Sequence, residues 1–201
     1  GLLLVHNTLV GLNLRDKIRI GCAGKVVSAF DIARLMALGA NWCNSARGFM
    51  FALGCIQSQS CHTDHCPTGV ATQDAQRQKA LVVPSKIERV HNYHRHTLEA
   101  LKELVQAAGL THPNQITANH VVRRVAGDKV KLLANHLEFI APGSLLAAAR
   151  GECDWPHNVY KVYWPIARAS SFAPAPAEVC AEGLKVPLPT VADNAAVDVA
   201  L

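Results

Sequence analysis

The sequence predicts a parallel α/β fold for residues 1–74, because it contains two successive strand–loop–helix units. Residues 17–22 and 40–44 each have the pattern of a short strand, and each is followed by a loop and an apolar helix. Parallel neighbouring strands need a helical crossover, so two successive strand–loop–helix units indicate a parallel sheet. In addition, a glycine and a cation stand where each loop enters its helix, and such positions favour phosphate binding.

Local signals place these first elements in order. Residues 2–13 carry an apolar side that is typical of a helix. After the first strand, Ser28 and Asp31 stand at capping-box spacing, and Gly39 is the expected end of the helix that they begin. After the second strand, residues 49–53 are predicted to form a short apolar helix that ends at the next glycine.

Composition narrows the classes of partner. The chain has 201 residues, half of them hydrophobic, so it can bury one sizeable core. Its net charge of +5 is scattered and aromatic residues are few, so nucleic acid is not an expected partner. Residues 1–12 are too short to span a membrane and lack signal-peptide features, so no membrane role is expected. Seven cysteines, three of them clustered, favour a reducing cytoplasm over a disulfide framework.

The two loops that enter the helices are candidate phosphate sites. The first contains Gly24 and Lys25, and the second contains Arg47 and Gly48. Backbone N–H groups at a helix N-terminus bind phosphate, and glycine lets the backbone approach closely. An ordinary turn with a solvated cation is the alternative for either loop. Two matching loops in tandem, followed by a cysteine cluster, favour a phosphate-bearing redox cofactor beside a metal centre.

Three cysteines, Cys55, Cys61 and Cys66, lie within a dozen positions, with a proline directly after the last. Thiolates are the usual ligands of iron–sulfur clusters, and the count fits a [3Fe–4S] cluster. Zinc needs four ligands, and His62 or His65 would have to reach the same metal as the cysteine beside it. The spacing alone leaves an iron–sulfur cluster, a zinc site and unligated thiols open.

Beyond the cysteine loop the sequence predicts a mainly helical extension over residues 75–172. Residues 84–108 form one long helix, with proline in its first turn and glycine after its end. Residues 114–125 are predicted as another helix, and residues 173–201 as a poorly ordered tail rich in alanine and proline. The remaining cysteines are interpreted as unligated thiols: Cys22, Cys43, Cys153 and Cys180.

The cysteine loop and its surroundings resemble a known family. The run Asn-Ser-Ala-Arg-Gly-Phe-Met-Phe-Ala-Leu-Gly-Cys-Ile-Gln at residues 44–57 and the run Cys-His-Thr-x2-Cys-Pro-Thr-Gly-Val-Ala-Thr-Gln at residues 61–73 are similar to the FMN-binding synthase domain of glutamate synthase. They most resemble short glutamate synthase-like proteins that lack an amidotransferase domain. The similarity continues through residues 81–90 and extends to residues 163–172.

This resemblance implies a fold. Residues 1–74 would be the C-terminal end of a (β/α)8 barrel, with its last two strand–helix units, followed by the helical extension. A complete barrel runs to about 250 residues. We therefore expect a C-terminal fragment whose first six units, with the residues that hold the flavin ring and 2-oxoglutarate, lie upstream. Such a chain would not catalyse the reaction alone, and no catalytic residue is assigned to it.

The resemblance also implies sites and chemistry. The cysteines match the family's ligands of a [3Fe–4S] cluster: Cys55, Cys61 and Cys66. Two loops, after the seventh and eighth barrel strands, match those that hold the FMN phosphate: Gly24, Lys25, Ala46, Arg47 and Gly48. The implied reaction forms glutamate from 2-oxoglutarate and glutamine-derived ammonia through 2-iminoglutarate. Reduced FMN delivers the hydride, and the cluster relays electrons from a donor such as a reductase subunit or ferredoxin.

Two alternatives to this reading stay open. A zinc-stabilised binding module would use the three cysteines and one histidine to fold a loop that contacts a partner protein. The two glycine–cation loops favour the oxidoreductase, because a zinc module has no need of them. The second alternative is an FMN and iron–sulfur oxidoreductase with a different substrate.

Overall fold

The computed structural model describes residues 1–168, 170, 171 and 173, and their contacts divide the chain into two units. The first unit comprises Gly1–Val10 and Leu14–Phe139, and the second comprises Gly11–Asn13 with the described residues from Ile140 onward. The helices and strands up to the end of the first unit are α1 (Leu2–Gly11), β1 (Gly21–Ala23), α2 (Ala29–Ala37), β2 (Trp42–Asn44), α3 (Ala46–Leu53), α4 (Ala75–Gln78), α5 (Val83–Ala107), β3 (Val122–Ala126), β4 (Lys129–Leu132) and α6 (Leu133–His136).

The two strands predicted for the α/β region pair in parallel. β1 and β2 align Cys22 with Cys43, and α2 is the crossover between them. Because parallel neighbours need such a crossover, the α/β prediction is confirmed. Within the described residues the parallel sheet has these two strands alone. The closed eight-stranded barrel therefore remains a prediction.

The crossover helix α2 begins and ends where the local signals predicted. Ser28 Oγ accepts a hydrogen bond from the Asp31 amide at 3.3 Å, and the Asp31 carboxylate accepts one from the Ser28 amide at 2.9 Å. The capping box is therefore confirmed. The helix ends two residues before Gly39, which has a left-handed φ of +104°. A small apolar core packs around this crossover: Val26, Leu35 and Ala40.

A hydrogen-bonded network around Arg15 fixes the N-terminal side of the strand pair. The Arg15 guanidinium donates to Gly39 O and to Asn41 Oδ1, both at 2.8 Å, and to His6 Nδ1 at 3.1 Å. Asn41 Oδ1 also accepts from the Ile20 amide at 2.8 Å, directly before β1. Burial and the adjacent Arg15 charge lower the pKa of His6, so the fold favours the neutral ring that can accept this bond.

We expect acid to loosen this network. The fold lowers the His6 pKa, so the open state takes up a proton more readily than the folded state. Local stability is therefore fully present above the ordinary histidine pKa of about 6.5 and decreases as the pH falls below it. Hydrogen–deuterium exchange of residues 15–23 in the full-length protein, corrected for intrinsic rates, should accelerate over that range. His6→Asn should flatten the dependence; an unchanged pH profile in the variant would contradict the assignment.

The long helix predicted for residues 84–108 is confirmed as α5. It carries Pro84 in its first turn and contacts both α2 and α3 along its length. Leu101 and Val105 are its buried residues. Val105 belongs to the main core of the first unit, whose buried members come from α2, α5, α6 and the segment between α5 and β3: Met36, Ala37, Val105, Ile116, Ala118 and Leu133.

The prediction of a helix over residues 114–125 is wrong. Two 3-10 turns, Pro113–Gln115 and Ala118–His120, are followed by an antiparallel hairpin of β3 and β4. The side chains of His112 and Thr117 cap the two turns. Each capped turn ends within three residues, and the β-branched valines that follow suit an extended strand. The extension therefore contains a hairpin beside its helices.

The second unit is built around short helices, α7 (Ser144–Ala149) and α8 (Asn158–Tyr163), followed by the 3-10 turn Trp164–Ile166. The rings of Trp155 and Trp164 lie 5.9 Å apart. The buried side chains of this unit are Leu145, Ala148, Tyr160, Val162 and Ile166. Apart from residue 173, the tail predicted for residues 173–201, including Cys180, lies outside the described residues. None of the helices in the described part is long and apolar enough to cross a membrane.

Candidate functional site

The loop after β1 presents its glycine and lysine to solvent. Gly24 and Lys25 are both exposed, and a Cβ added to Gly24 would meet no atom within 4 Å. Lys25 has a φ of +52°, a left-handed conformation that few non-glycine residues adopt. No carboxylate in the described residues lies within ion-pair distance of its ammonium group. Lys25 is therefore an unpaired cation beside an open stretch of backbone.

The second predicted phosphate loop is the first turn of a helix. The sequence pattern placed Ala46, Arg47 and Gly48 ahead of the helix, whereas α3 begins at Ala46. Ser45 occupies the N-cap position, but its Oγ caps no amide of α3 and instead donates to Val26 O, 2.6 Å away. The amides of the first turn therefore lack a side-chain cap. Such free amides are the donors that bind anions.

Charge distinguishes this helix N-terminus from that of α2. Arg47 is exposed in the first turn of α3, and no carboxylate of the described residues pairs with it. At α2, the Asp31 carboxylate already accepts from the amides of Val27 and Ser28. These bonds lower the pKa of Asp31, so a negative charge stays at that end. An added anion is therefore favoured at α3 and disfavoured at α2.

Gly48 gives α5 room to contact α3. Gly48 is buried, and a Cβ at this position would overlap the Tyr93 hydroxyl and lie 2.6 Å from Ser45 Oγ. The Tyr93 ring packs edge-on against Phe49, with ring centroids 5.0 Å apart. Packing against α5 thus requires glycine here. The phosphate-binding role predicted for Gly48 remains a prediction and concerns its backbone amide.

α3 runs directly from the candidate phosphate site to the cysteine loop. The helix ends at Gly54, which has a left-handed φ of +106° and lies immediately before Cys55. The Cys55 amide donates to Met50 O at 3.0 Å, so this cysteine is tied to the last turn. Eight residues of helix span about 12 Å at 1.5 Å per residue. One short rigid element therefore sets the separation of the two candidate sites.

The three clustered cysteines lie in different surroundings. Cys55 is half-buried, Cys61 is exposed at the start of a 3-10 turn, and Cys66 is buried. His62 and His65 are both exposed. Within the described residues, no three histidine, cysteine or acidic side chains converge as they would around a single metal ion. A cluster with three cysteine-bound irons does not bring its ligands onto one atom.

Hydrogen bonds close the cysteine loop on itself. The Thr72 hydroxyl donates to Asp64 O at 2.6 Å, and the Gln73 amide donates to the Asp64 carboxylate. Asp64 has a left-handed φ of +64°. Gly69 lies so close to the backbone carbonyl of Arg77 that a Cβ would overlap it. Contacts within the protein thus shape the loop.

The surroundings of Cys66 favour its thiolate. The hydroxyl of Thr68 and the backbone amides of Ala71, Thr68 and Val70 lower the pKa of Cys66 to about 7. The thiolate is the form that binds a metal. In contrast, burial and a neighbouring thiol raise the pKa of Cys43 to about 11. The donor chemistry at Cys66 therefore fits a soft metal centre, whereas that of Cys43 fits an inert structural thiol.

Comparisons with known proteins show which kind of protein carries these sites. Residues 1–111 match a family model described as a conserved region in glutamate synthase. The chain belongs to the glutamate synthase family. The glutamate synthase large subunit-like protein YerD of Bacillus subtilis is 44% identical over 121 residues, which cover 60% of this chain and 23% of that protein. The ferredoxin-dependent glutamate synthase of Cyanidium caldarium is 34% identical over 116 residues, which cover 58% of this chain and 7% of that protein.

The matched region confirms the resemblance that the sequence motifs predicted. In this glutamate synthase family member it runs from α1 through α5, and it includes both candidate phosphate loops and the three clustered cysteines. Glutamate synthase (NADH) of Schizosaccharomyces pombe is a further relative, 32% identical over 136 residues, which cover 66% of this chain and 6% of that protein. The chain thus spans less than a quarter of the length of these curated relatives.

Three side chains that shape the candidate sites of this glutamate synthase family chain were not predicted from its sequence. Ser45 and Tyr93 meet near the phosphate loops, and Asp64 closes the cysteine loop. Tyr93 is 48 residues from Ser45, so no local pattern points to their contact. The residue type of Asp64 could have predicted a turn at this position, because aspartate is one of the few residues that tolerate the left-handed conformation.

Proposed function

We propose that this chain forms the cofactor-holding C-terminal part of a glutamate synthase-like oxidoreductase. The proposed reaction is the reductive formation of L-glutamate from 2-oxoglutarate and ammonia, or ammonia taken from glutamine, through 2-iminoglutarate. One observation carries the proposal. α3 begins at an uncapped turn whose arginine pairs with no carboxylate of the described residues, and it ends directly before Cys55, so a single helix joins an anion site to a thiol loop. Both lie in the region matched by the family.

The phosphate of FMN would bind at the first turn of α3. The amides of Ala46, Arg47 and Gly48 are oriented as donors at the positive end of the helix. Lys25 and the Arg47 side chain add two exposed charges that have no carboxylate partner in the part of the chain that the structure describes. A charge-assisted bond to phosphate is stronger than a neutral one. The exposed backbone at Gly24 keeps the approach open. These residues bind and orient the cofactor.

The three clustered thiols, of Cys55, Cys61 and Cys66, would hold a [3Fe–4S] cluster. The hydrogen bonds that stabilise the Cys66 thiolate favour ligation at that position. When bound, FMN supplies hydride transfer and the cluster supplies single-electron transfer. The cysteines of the described residues are all unpaired, which suits a reducing compartment such as the cytoplasm.

The electrons for this reaction come from a separate donor. The names of the relatives include NADH, NADPH and ferredoxin. We infer that a ferredoxin or a reductase subunit reduces the cluster in the protein that carries this chain.

Cofactor analysis of the full-length protein, purified without oxygen, tests the proposal. We expect about three iron atoms, about four sulfide ions and one FMN per chain, with a brown colour. One zinc per chain without flavin would overturn the proposal and indicate a zinc-stabilised binding module. Both cofactors present without glutamate formation from 2-oxoglutarate would indicate an oxidoreductase with a different substrate.

Arg47→Ala should weaken FMN binding because it removes one charge-assisted bond to phosphate. The expected loss is about 1.5–3 kcal/mol, or roughly ten- to a hundredfold in Kd. Flavin fluorescence titration of the flavin-stripped full-length protein measures it. Riboflavin lacks the phosphate, so its affinity should not change.

Arg19→Ala is the matched control for this substitution. Arg19 is an exposed cation at the opposite, N-terminal end of β1. Its loss lowers the net charge equally and should leave the affinity for FMN unaltered. Equal losses in both variants would mean that Arg47 acts only through overall charge.

A further inference from the structure

The Tyr93 hydroxyl connects both candidate phosphate loops to α5. It donates to Val27 O at 2.8 Å, in the loop between β1 and α2. It also lies 3.0 Å from Ser45 Oγ, at the N-cap of α3. Ser45 Oγ in turn donates to Val26 O at 2.6 Å. One tyrosine therefore joins three segments that are far apart in the sequence.

The hydroxyl protons at this junction are fully used. Ser45 and Tyr93 carry one proton each, and their oxygens make three contacts of 3.0 Å or less. Both protons point to carbonyls of the β1–α2 loop when Ser45 donates to Val26 and Tyr93 donates to Val27. Serine is a preferred N-cap residue, yet here its side chain is engaged elsewhere and caps no amide.

We propose that Tyr93 is a positioning residue of the phosphate site, which holds the β1–α2 loop against the first turn of α3. The inference rests on the proposed function of those two loops. Gly48 provides the space that the hydroxyl occupies, and Phe49 supports the ring edge-on at 5.0 Å. Thr97 Oγ1 donates to the Tyr93 carbonyl at 2.7 Å, which further ties this turn of α5 together.

The hydroxyl acts on the β1–α2 loop through its bond to Val27 O. Ser45 Oγ is held toward Val26 by its own proton, and this bond keeps it from capping the amides of α3. The Tyr93 hydroxyl satisfies the Val27 carbonyl, two residues after Lys25, and so limits the movement of the loop backbone that carries the lysine. Without the hydroxyl, the Val27 carbonyl loses this donor, and the loop that carries Lys25 is held less firmly beside α3.

Tyr93→Phe tests this role because it removes the oxygen and keeps the ring against Phe49. The measurement is the Kd of FMN and of riboflavin for the flavin-stripped full-length protein. We expect FMN to bind roughly two- to tenfold more weakly, as for the loss of one neutral hydrogen bond. Riboflavin binding should stay unchanged, since the affected site contacts the phosphate alone. A variant that weakens both flavins equally, or neither, would overturn the proposal.

Two further comparisons sharpen the test. Tyr163→Phe, which removes an exposed hydroxyl from α8, should change neither affinity. In a Ser45→Ala background the effect of Tyr93→Phe should persist, because Tyr93 acts through its own bond to Val27 O; its disappearance would overturn the role assigned to Tyr93.

The wild-type protein separates this inference from the proposed function. If it bound FMN no better than riboflavin, the phosphate site itself would be refuted, and the role of Tyr93 with it. A clear preference for FMN that survives Tyr93→Phe would refute the role of Tyr93 alone.

Discussion

Replacing Cys61 with serine is expected to remove the iron–sulfur absorbance of the full-length protein and to leave its FMN bound. Cys61 is exposed in a 3-10 turn, and its thiol makes no hydrogen bond to another described residue. Serine preserves its size, so the loop closure between Asp64 and Thr72 should persist. Any loss of iron must then come from the lost thiolate. Visible absorbance together with iron and sulfide analysis after anaerobic purification measures this loss.

Cys61 is a sharper probe than Cys66 for this purpose. Cys66 is buried and lies 3.5 Å from the Thr68 hydroxyl, so its replacement would disturb the loop as well as the ligand set. FMN should remain bound in Cys61→Ser, because the proposed phosphate site is at the first turn of α3 and the cysteine loop follows the last turn of that helix. Cys153→Ser is the matched control, since Cys153 is also exposed but lies in the second unit. Undiminished iron in Cys61→Ser would refute the ligand assignment.

The parts of the fold that the sequence predicted correctly depend on local signals. The capping box of α2, the turn at Gly39 and the proline in the first turn of α5 each involve residues within one or two helical turns. The N-terminus of α3 shows the limit of such signals. Gly48 was predicted as a loop residue, but it lies inside α3, where a side chain would overlap the Tyr93 hydroxyl. That contact spans 45 positions and leaves no local trace.

The missed hairpin has a different cause. The run Val-Val-Arg-Arg-Val-Ala-Gly-Asp-Lys-Val-Lys-Leu at residues 121–132 contains β-branched residues and a Gly-Asp turn, which together favour a hairpin. The helix predicted for residues 114–125 reached into this run, whereas the capped turns end at Gln115 and His120. At the candidate sites, the residue types proposed to bind phosphate and iron are visible in the sequence. The side chains that orient them were hidden, because Tyr93 comes from a distant helix.

Gly69→Ala is expected to remove most of the bound iron from the full-length protein, although Gly69 supplies no ligand. Gly69 has a φ of +73°, and alanine in this left-handed conformation costs roughly 1–2 kcal/mol. The larger effect is steric, because the new methyl group would overlap the backbone carbonyl of Arg77, which cannot move aside as a flexible side chain would. The neighbouring amides of Thr68 and Val70, which stabilise the Cys66 thiolate, must shift with it.

Gly109→Ala separates the steric effect from the backbone strain. Gly109 has nearly the same φ, +72°, but a Cβ there meets no atom within 4 Å. Both variants should lose similar stability from the left-handed conformation, whereas only Gly69→Ala should release iron and sulfide. Its FMN content should remain, because the phosphate site does not depend on residues 61–73. Full iron content in Gly69→Ala would mean that cluster binding tolerates a displaced loop. The hydrogen bonds between Asp64 and Thr72 would then not be needed to hold the cluster.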